Sequence, residues 1–427
     1  MIDIKRIREA PEVLKQSYLK KNKDCGADID RIIELDSKRR ILIAESEADK
    51  AEQNALSKQI PQMKKDGVDT TELFGKLNAL KEKFRVADTS LREVEEELNE
   101  LMLGLPNPPD DDLAHGGKEN NKPLRYYGEP HTFDFEPKNH IDLCARLNLI
   151  DYERGVKLAG SGFWTYRGLG SQLEWALLNY FIDTHIADGY EFIMVPYMLE
   201  YECGLTAGQF PKFADEVYKI ANPTDDRLHY MLPTAEAALA SFHRDEILTE
   251  AELPKKYFSY TPCFRREAGT YGSDERGMVR GHQFNKVEMF QFTTPEGSDA
   301  AFDELVAKAE TLVAGLGFHF RTVMLAAADC SAAMARTIDI EIQIPSMNGY
   351  KEVSSVSNAR CYQARRGNIR FKREAAGKTE FVHTLNGSGL ATSRILPALV
   401  EQNQQKDGSV IVPEVLRKYL GGIEVIR

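Results

Sequence analysis

The chain has 427 residues, enough for more than one domain and at least one large core. Hydrophobic residues make up 42% and charged residues 28%, the balance expected of an ordinary soluble protein, and no apolar run approaches the ~20 residues of a membrane span. A formal net charge of -11 means that attraction to any polyanion must come from local basic patches.

The opening stretch "MIDIKRIREAPEVLKQ" carries acids and no apolar segment, which predicts neither a signal nor a transit peptide. Cys25, Cys144, Cys203, Cys263, Cys330 and Cys361 are scattered without a C-x-x-C. That spacing predicts reduced thiols, no zinc and a cytoplasmic protein.

Residues from about 30 to 103 hold almost no aromatics, a single proline (Pro61) and a dense mix of charges. In their second half Leu77, Leu80, Phe84, Ala87, Leu91, Val94, Leu98 and Leu101 alternate spacings of three and four, a coiled-coil seam. The first half gives a thinner stripe through Leu35, Leu42, Ala44, Ala48, Ala51, Ala55, Leu56, Ile60 and Met63. Asp66-Gly67 supplies a turn between the halves, and Asp69, Thr70 or Thr71 caps the next helix. The pattern predicts two antiparallel helices, a rod of roughly 50 Å.

The prolines, glycines and acids of "LGLPNPPDDDLAHGGKENNKP" end the rod. We place an N-terminal domain at residues 1–103, with the arm over about 30–103, a linker at 104–125 and a second domain at 126–427. In that domain "SQLEWALLNYFIDTHIADGY" reads as helix. Strands follow at "EFIMVPYM", "KYFSYTPCF", "HQFNKVEMFQFT", "TIDIEIQIP" and "YKEVSSVSN", and a last helix begins near "ATSRILPALVEQNQQ". Strands in blocks predict an α+β fold, an antiparallel sheet flanked by helices.

The stretch "CFRREAGTYGSDERGMVRGHQFNKVEMFQF" is a hairpin with an unusually long, charged loop. Strand alternation sets Arg265 and Glu267 on one face and, on the return, Phe284, Lys286, Glu288 and Phe290 on one face. The bland reading is a solvated hairpin with cross-strand ion pairs. Further polar pairs argue against it: Thr234 with Glu236 in "LPTAEAALA", and Glu352 with Ser354 and Ser355 in "YKEVSSVSNA". "LNGSGLATSR" reads as a glycine-rich turn into a helix, carrying Asn386, Ser388 and Arg394. Arginines suit phosphate and carboxylate oxygens, a carboxylate beside a hydroxyl suits Mg²⁺, and a phenyl face suits a base. With no Walker, Rossmann or Ser-His-Asp pattern in view, the set fits a reaction whose nucleophile is already ionised, an amino acid carboxylate attacking ATP.

These residues resemble the seryl-tRNA synthetases, class II enzymes, over essentially the whole chain. Motif 2 of that family is similar to "FRREAG" through "RGMVRGHQFNKVEMFQF", motif 3 to "LNGSGLATSRILPALVEQNQ", and motif 1 ends near Pro196. "PTAE", "GQFPKF", "EVSSVSN" and "QARR" also match. The resemblance implies that Arg265 bridges the ATP α-phosphate and the serine carboxylate, and that Arg265 and Arg394 are the catalytic pair. It implies that Glu267 accepts from the adenine amino group and Phe284 stacks on the ring. Arg276 or Arg280, with Arg394, would hold the terminal phosphates; Arg266, Val353 and Ser354 would complete the ATP site. Glu352 and Ser355 would hold Mg²⁺ through ATP. Thr234, Glu236, Glu288, Asn386 and Ser388, with Arg265, would bind serine. The resemblance also implies a homodimer and an arm that lies along tRNA(Ser), contacting mainly its backbone. Candidate contacts are Lys38, Arg39, Arg40, Lys64 and Lys65.

Four positions depart from the family pattern: Arg336 for a lysine, Ile338 for a tyrosine, Cys361 for an acid and Leu169 for an aspartate. They leave every residue with an implied catalytic role in place. They raise the alternatives of a divergent second copy, such as an inhibitor-resistant one, and of a homologue charging an acceptor other than tRNA. The arm speaks against the latter.

Overall fold

The computed structural model describes residues 1–67, 69–267, 277–347, 349–374 and 377–427. The chain divides into two compact units, one of residues 2–19 and 23–106, the other of residues 1, 20–22 and 107–427.

The first unit is built on two long helices, α1 (Gly26–Ser57) and α2 (Thr71–Gly104). Arg31 pairs with Glu97 at 2.7 Å and Asp49 with Lys83 at 2.8 Å. Numbers rising on one helix as they fall on the other define an antiparallel pair. The α2 seam lies as expected, with Val94 and Leu98 buried and Leu77, Leu80, Ala87, Leu91 and Leu101 half-buried; only Phe84 is exposed. A two-helix hairpin has a single neighbour to cover each seam residue, so burial stays partial.

On α1 the expected stripe needs correction. Ala44, Ala48, Ala51 and Ala55 are exposed. Covered instead, beside Ile43, are Leu42, Ser46, Asp49, Gln53 and Leu56, which keep the three-four spacing. The alanines mislead because the seam runs through polar residues, and one Asp49 oxygen accepts from Lys83 across the pair. Gly67 takes the left-handed conformation at φ 69° in the turn, and Asp69 accepts from the Thr71 backbone N–H at 2.9 Å.

The second unit contains an eight-stranded sheet. In chain order its strands are β1 (Lys122–Tyr127), β2 (Glu191–Phe192), β3 (Lys255–Phe264), β4 (Gln283–Thr293), β5 (Phe320–Met324), β6 (Arg336–Ile344), β7 (Gly349–Arg360) and β8 (His383–Ala391). Their spatial order is β1-β5-β6-β7-β8-β4-β3-β2. All neighbours are antiparallel except β2 and β3 at one edge. That edge adds one parallel pair to the expected antiparallel sheet: a parallel pair needs a long crossover, and the long segment from Phe192 to Lys255 provides it.

Three helices, α3 (Leu169–Ala187), α4 (Ser298–Gly315) and α5 (Thr392–Gln402), cover one face. Leu173, Leu177, Leu305, Leu312, Leu396 and Leu399 join Val287, Met289, Ile340 and Val356 of the sheet in the main core. The opposite face carries the chemistry.

Two local expectations are overturned. Arg265 and Glu267 do not share a strand face, because β3 ends at Phe264. The Arg265 N–H still donates to the His282 carbonyl at 2.9 Å, but Glu267 turns into the left-handed region at φ 48°. The "LNGSG" stretch is no turn; it is the interior of β8, between β7 and β4. Its glycine at 389 is required by packing, since a Cβ there would stand 2.2 Å from Nε2 of His185 on α3. Gly389→Ala is therefore expected to lower stability by about 1–3 kcal/mol, the usual cost of overpacking. Urea denaturation checks this, and an unchanged midpoint would refute the close-packing explanation.

Candidate active site

β4 and β8 place Glu288 opposite Ser388, with Lys286 and Asn386 near them on the same face. Lys286 and Glu288 are both buried and their ammonium and carboxylate are in contact. Thr234, ahead of the short helix Glu236–Ala240, closes the group. Its Oγ1 accepts from Lys286 Nζ at 2.8 Å and donates to Glu288 Oε2 at 3.4 Å. Asn386 Nδ2 donates to the other Glu288 oxygen at 3.0 Å, while Asn386 Oδ1 is buried with no partner among the described residues. Glu236 accepts from Gln363 Nε2 at 2.8 Å, and Thr384 Oγ1 fixes the Gln363 amide by donating to its oxygen at 2.7 Å. Burial, and then the Glu288 carboxylate, push the Glu236 carboxyl up to about 7. The result is a walled polar pocket with two carboxylates, one ammonium and an unused acceptor.

This pocket opens into a cavity of about 570 Å³ that Arg265, Glu267, Arg280, Glu352, Ser355 and Ser388 also line. The Arg265 guanidinium lies 5.0 Å from the Phe284 ring centroid, and its Nε donates to the Pro233 carbonyl at 3.3 Å. Arg280 is bound to Glu267, with Nε at 2.7 Å from Oε2. Arg394, in the first turn of α5, donates to the Glu352 carbonyl at 2.7 Å and stands 3.4 Å from the Glu352 carboxylate. Val353 lines the adjoining hollow with Phe284 and Arg394. Ser355 Oγ donates to Asp339 at 2.7 Å across β6 and β7. Burial and the nearby Glu352 hold the Asp339 carboxyl well above the ordinary carboxylate range. Hard oxygen donors and guanidinium groups thus share one surface, the chemistry that phosphate and magnesium require.

Not every predicted residue joins the set. The Arg266 side chain is exposed and donates to the Asp215 carbonyl. Ser354 Oγ is buried and donates to the Ser388 carbonyl at 2.6 Å, which ties β7 to β8. Arg276 lies outside the described residues. In the first unit, Arg39 and Arg40 stand 3.4 and 3.3 Å from the buried Asp36 carboxylate, while Lys38, Lys64 and Lys65 are exposed.

The model of the seryl-tRNA synthetase N-terminal domain matches residues 1–109, and that of the class II tRNA synthetase core domain (G, H, P, S and T) matches residues 218–403. The serine–tRNA ligase 2 of Clostridium acetobutylicum is 57% identical over 423 residues, 99% of each chain. This chain belongs to the seryl-tRNA synthetase family. The serine–tRNA ligase of Thermodesulfovibrio yellowstonii is 44% identical over the whole of both chains. Among solved structures, the seryl-tRNA synthetase of Pyrococcus horikoshii complexed with ATP superposes with a TM-score of 0.93 at 32% identity, covering 100% of this chain and 99% of that one. The Naegleria fowleri cytoplasmic serine–tRNA ligase in complex with AMP gives 0.88 at 29%, with the same coverage.

Within this family fold, three polar residues of the site carry no signal in the sequence. Lys286 was visible on the correct strand face, yet nothing in its spacing marked it as the partner of Glu288. Gln363 sits in the noted "QARR" stretch, and its link to Glu236 depends on a helix-to-sheet contact. Asp339 alternates within β6, where it looks like any solvent-facing acid. Lys286→Met is expected to destabilise the protein by about 3–5 kcal/mol, because Glu288 would stay buried without its cation. Adding Glu288→Gln should recover most of the loss in chemical denaturation. A single variant as stable as the parent would refute the pairing.

Proposed function

We propose that this chain is a serine–tRNA ligase. It activates L-serine with ATP to seryl-adenylate and pyrophosphate, then transfers serine to the 3′ end of tRNA(Ser). The observation that carries the reading is the walled Lys286–Glu288–Thr234–Asn386 pocket opening beside Arg265, in a chain similar from end to end to serine–tRNA ligases.

The serine carboxylate attacks the α-phosphorus, a P–O bond forms, and the bond to the β-phosphate breaks with its electron pair leaving on pyrophosphate. No base is needed. Arg265 neutralises both anions and holds them in line. Phe284 and Glu267 seat the adenine, and Arg280 and Arg394 face the outer phosphates. Glu352 and Ser355, supported by Asp339, offer the hard oxygen donors that suit Mg²⁺, whose charge would offset that of the triphosphate. The substrate ammonium suits Glu236 and Glu288, and its hydroxyl suits Asn386 Oδ1, the acceptor with no partner among the described residues. A site that binds a hydroxyl rejects alanine strongly, since a buried group would be left unpaired; threonine is rejected by size, a weaker filter.

The arm is assigned to the tRNA backbone. Lys38, Lys64 and Lys65 are favoured for the contacts over Arg39 and Arg40, which already serve Asp36. A homodimer through motif 1 is supported by exposed apolar side chains on α3 and around β2, Trp175 at 53% and Met194 at 76% exposure among them. No described helix is long and apolar enough to cross a membrane, and we assign the protein to the cytoplasm.

ATP–pyrophosphate exchange with serine, followed by charging of purified tRNA, tests the proposal. Serine should support exchange and transfer, and Arg265→Ala should slow exchange by at least ~100-fold. Normal exchange by that variant would overturn the mechanism; exchange without transfer would point to another acceptor. Because Glu236 titrates near 7 and the substrate ammonium stays protonated to higher pH, KM for serine should fall several-fold between pH 6 and 8. Glu236→Gln should flatten that profile, and an equally steep profile in the variant would assign the titration elsewhere.

A further inference from the structure

Between β5 and β6 the turn Ser331–Ala335 presents five successive carbonyls, and each accepts a hydrogen bond from a distant part of the chain. Lys21 Nζ donates to Ser331 at 3.0 Å and to Met334 at 2.7 Å. The Asn107 N–H donates to Ala332 at 2.8 Å, its Nδ2 to Ala333 at 2.9 Å, and the Asp110 N–H to Ala335 at 3.0 Å. Lys21 is only 5% exposed, and its ammonium meets carbonyl oxygens with no ion-paired carboxylate among the described residues. An ammonium without a carboxylate is a costly way to hold a turn, and Ala333, Met334 and Ala335 of this one are buried. This turn is more than surface: Ser331 and Met334 line the same cavity as Thr234, Glu288 and Asn386. Residues 20–22 fold as part of the second unit, and both Lys21 and Asn107 stand where the chain passes from one unit to the other.

We infer that Lys21 is a positioning residue: with Asn107 it fixes the Ser331–Ala335 turn so that Ser331 and Met334 close the reaction cavity on the amino acid side. The inference rests on the serine-activating function proposed above. Lys21 does not line that cavity, so its effect is on amino acid affinity and only weakly on the chemical step. Burial lowers the Lys21 amine to about 8, and Cys330, Lys212 and Asp110 are the titratable groups around it. Above that pH its bonds to the two carbonyls lose their charge and weaken.

Full-length protein in the exchange assay decides the matter. Lys21→Met should raise KM for serine by ~10-fold and change kcat by less than about threefold, while Lys21→Arg should restore KM to within about threefold of the parent. Above pH 8, where Glu236 is already ionised, the parent should lose serine affinity more steeply than Lys21→Arg, whose guanidinium does not titrate there. A lower melting temperature with an unchanged serine KM would overturn the inference and leave Lys21 structural. So would an unchanged serine KM in Asn107→Ala, which removes the side-chain bond to the Ala333 carbonyl and decides the case even if Lys21→Met does not fold. Absence of any serine-dependent exchange in the parent would instead refute the proposed function.

Discussion

The contact between Lys286 and Glu288, on the same face of the strand near the centre of the sheet, is the constraint around which the site is organised. Two opposite charges taken out of water are tolerable only if every remaining donor and acceptor is matched. Thr234 and Asn386 supply the matches from a loop and from the neighbouring strand β8. The pocket is therefore rigid before any ligand arrives, which is what positioning an amino acid against a phosphorus atom requires.

The two faces of the sheet divide the work. On the helix-covered face Val287 and Met289 enter the core, while Asn285 reaches the buried carboxylate of Glu174 on α3 at 2.7 Å. Glu174 also accepts from the Thr392 hydroxyl at the first residue of α5, two residues ahead of Arg394. Burial pushes that carboxyl up to about 7. A buried acid beneath the sheet thus sets where the helix carrying Arg394 begins.

The positions that depart from the family pattern have mostly plain structural roles. Arg336 pairs with Asp110 and Asp112, and Arg360 joins the same Asp110. Burial raises the Asp110 carboxyl, but the hydrogen bonds from Arg360 and Arg336 outweigh it and hold the group below its ordinary value. The acids after the arm, which look like solvated linker charges in the sequence, are anchors for β6 and β7. Ile338 is buried in the main core, and Cys361 accepts from Arg365 Nε at 3.3 Å. Leu169, the first residue of α3, is half-buried and packs against the main core.

Local chemistry alone was enough to locate the paired helices, most of the strands and the face of β4 that carries Phe284, Lys286 and Glu288, because period and turn residues act over a few neighbours. The motif residues pointed to nucleotide and amino acid for the same reason: guanidinium, carboxylate and phenyl groups advertise what they bind. Lys286 as the mate of Glu288, Gln363 on Glu236 and Asp339 on Ser355 could emerge only once separate strands and helices met. The same is true of the glycine at 389, whose need is set by His185 two hundred residues away, and of the α1 seam, where Asp49 meets Lys83 of the opposite helix. Short-range forces write the elements into the chain. Which charges are buried together is decided by packing, since desolvation depends on everything that surrounds a group rather than on its neighbours in sequence.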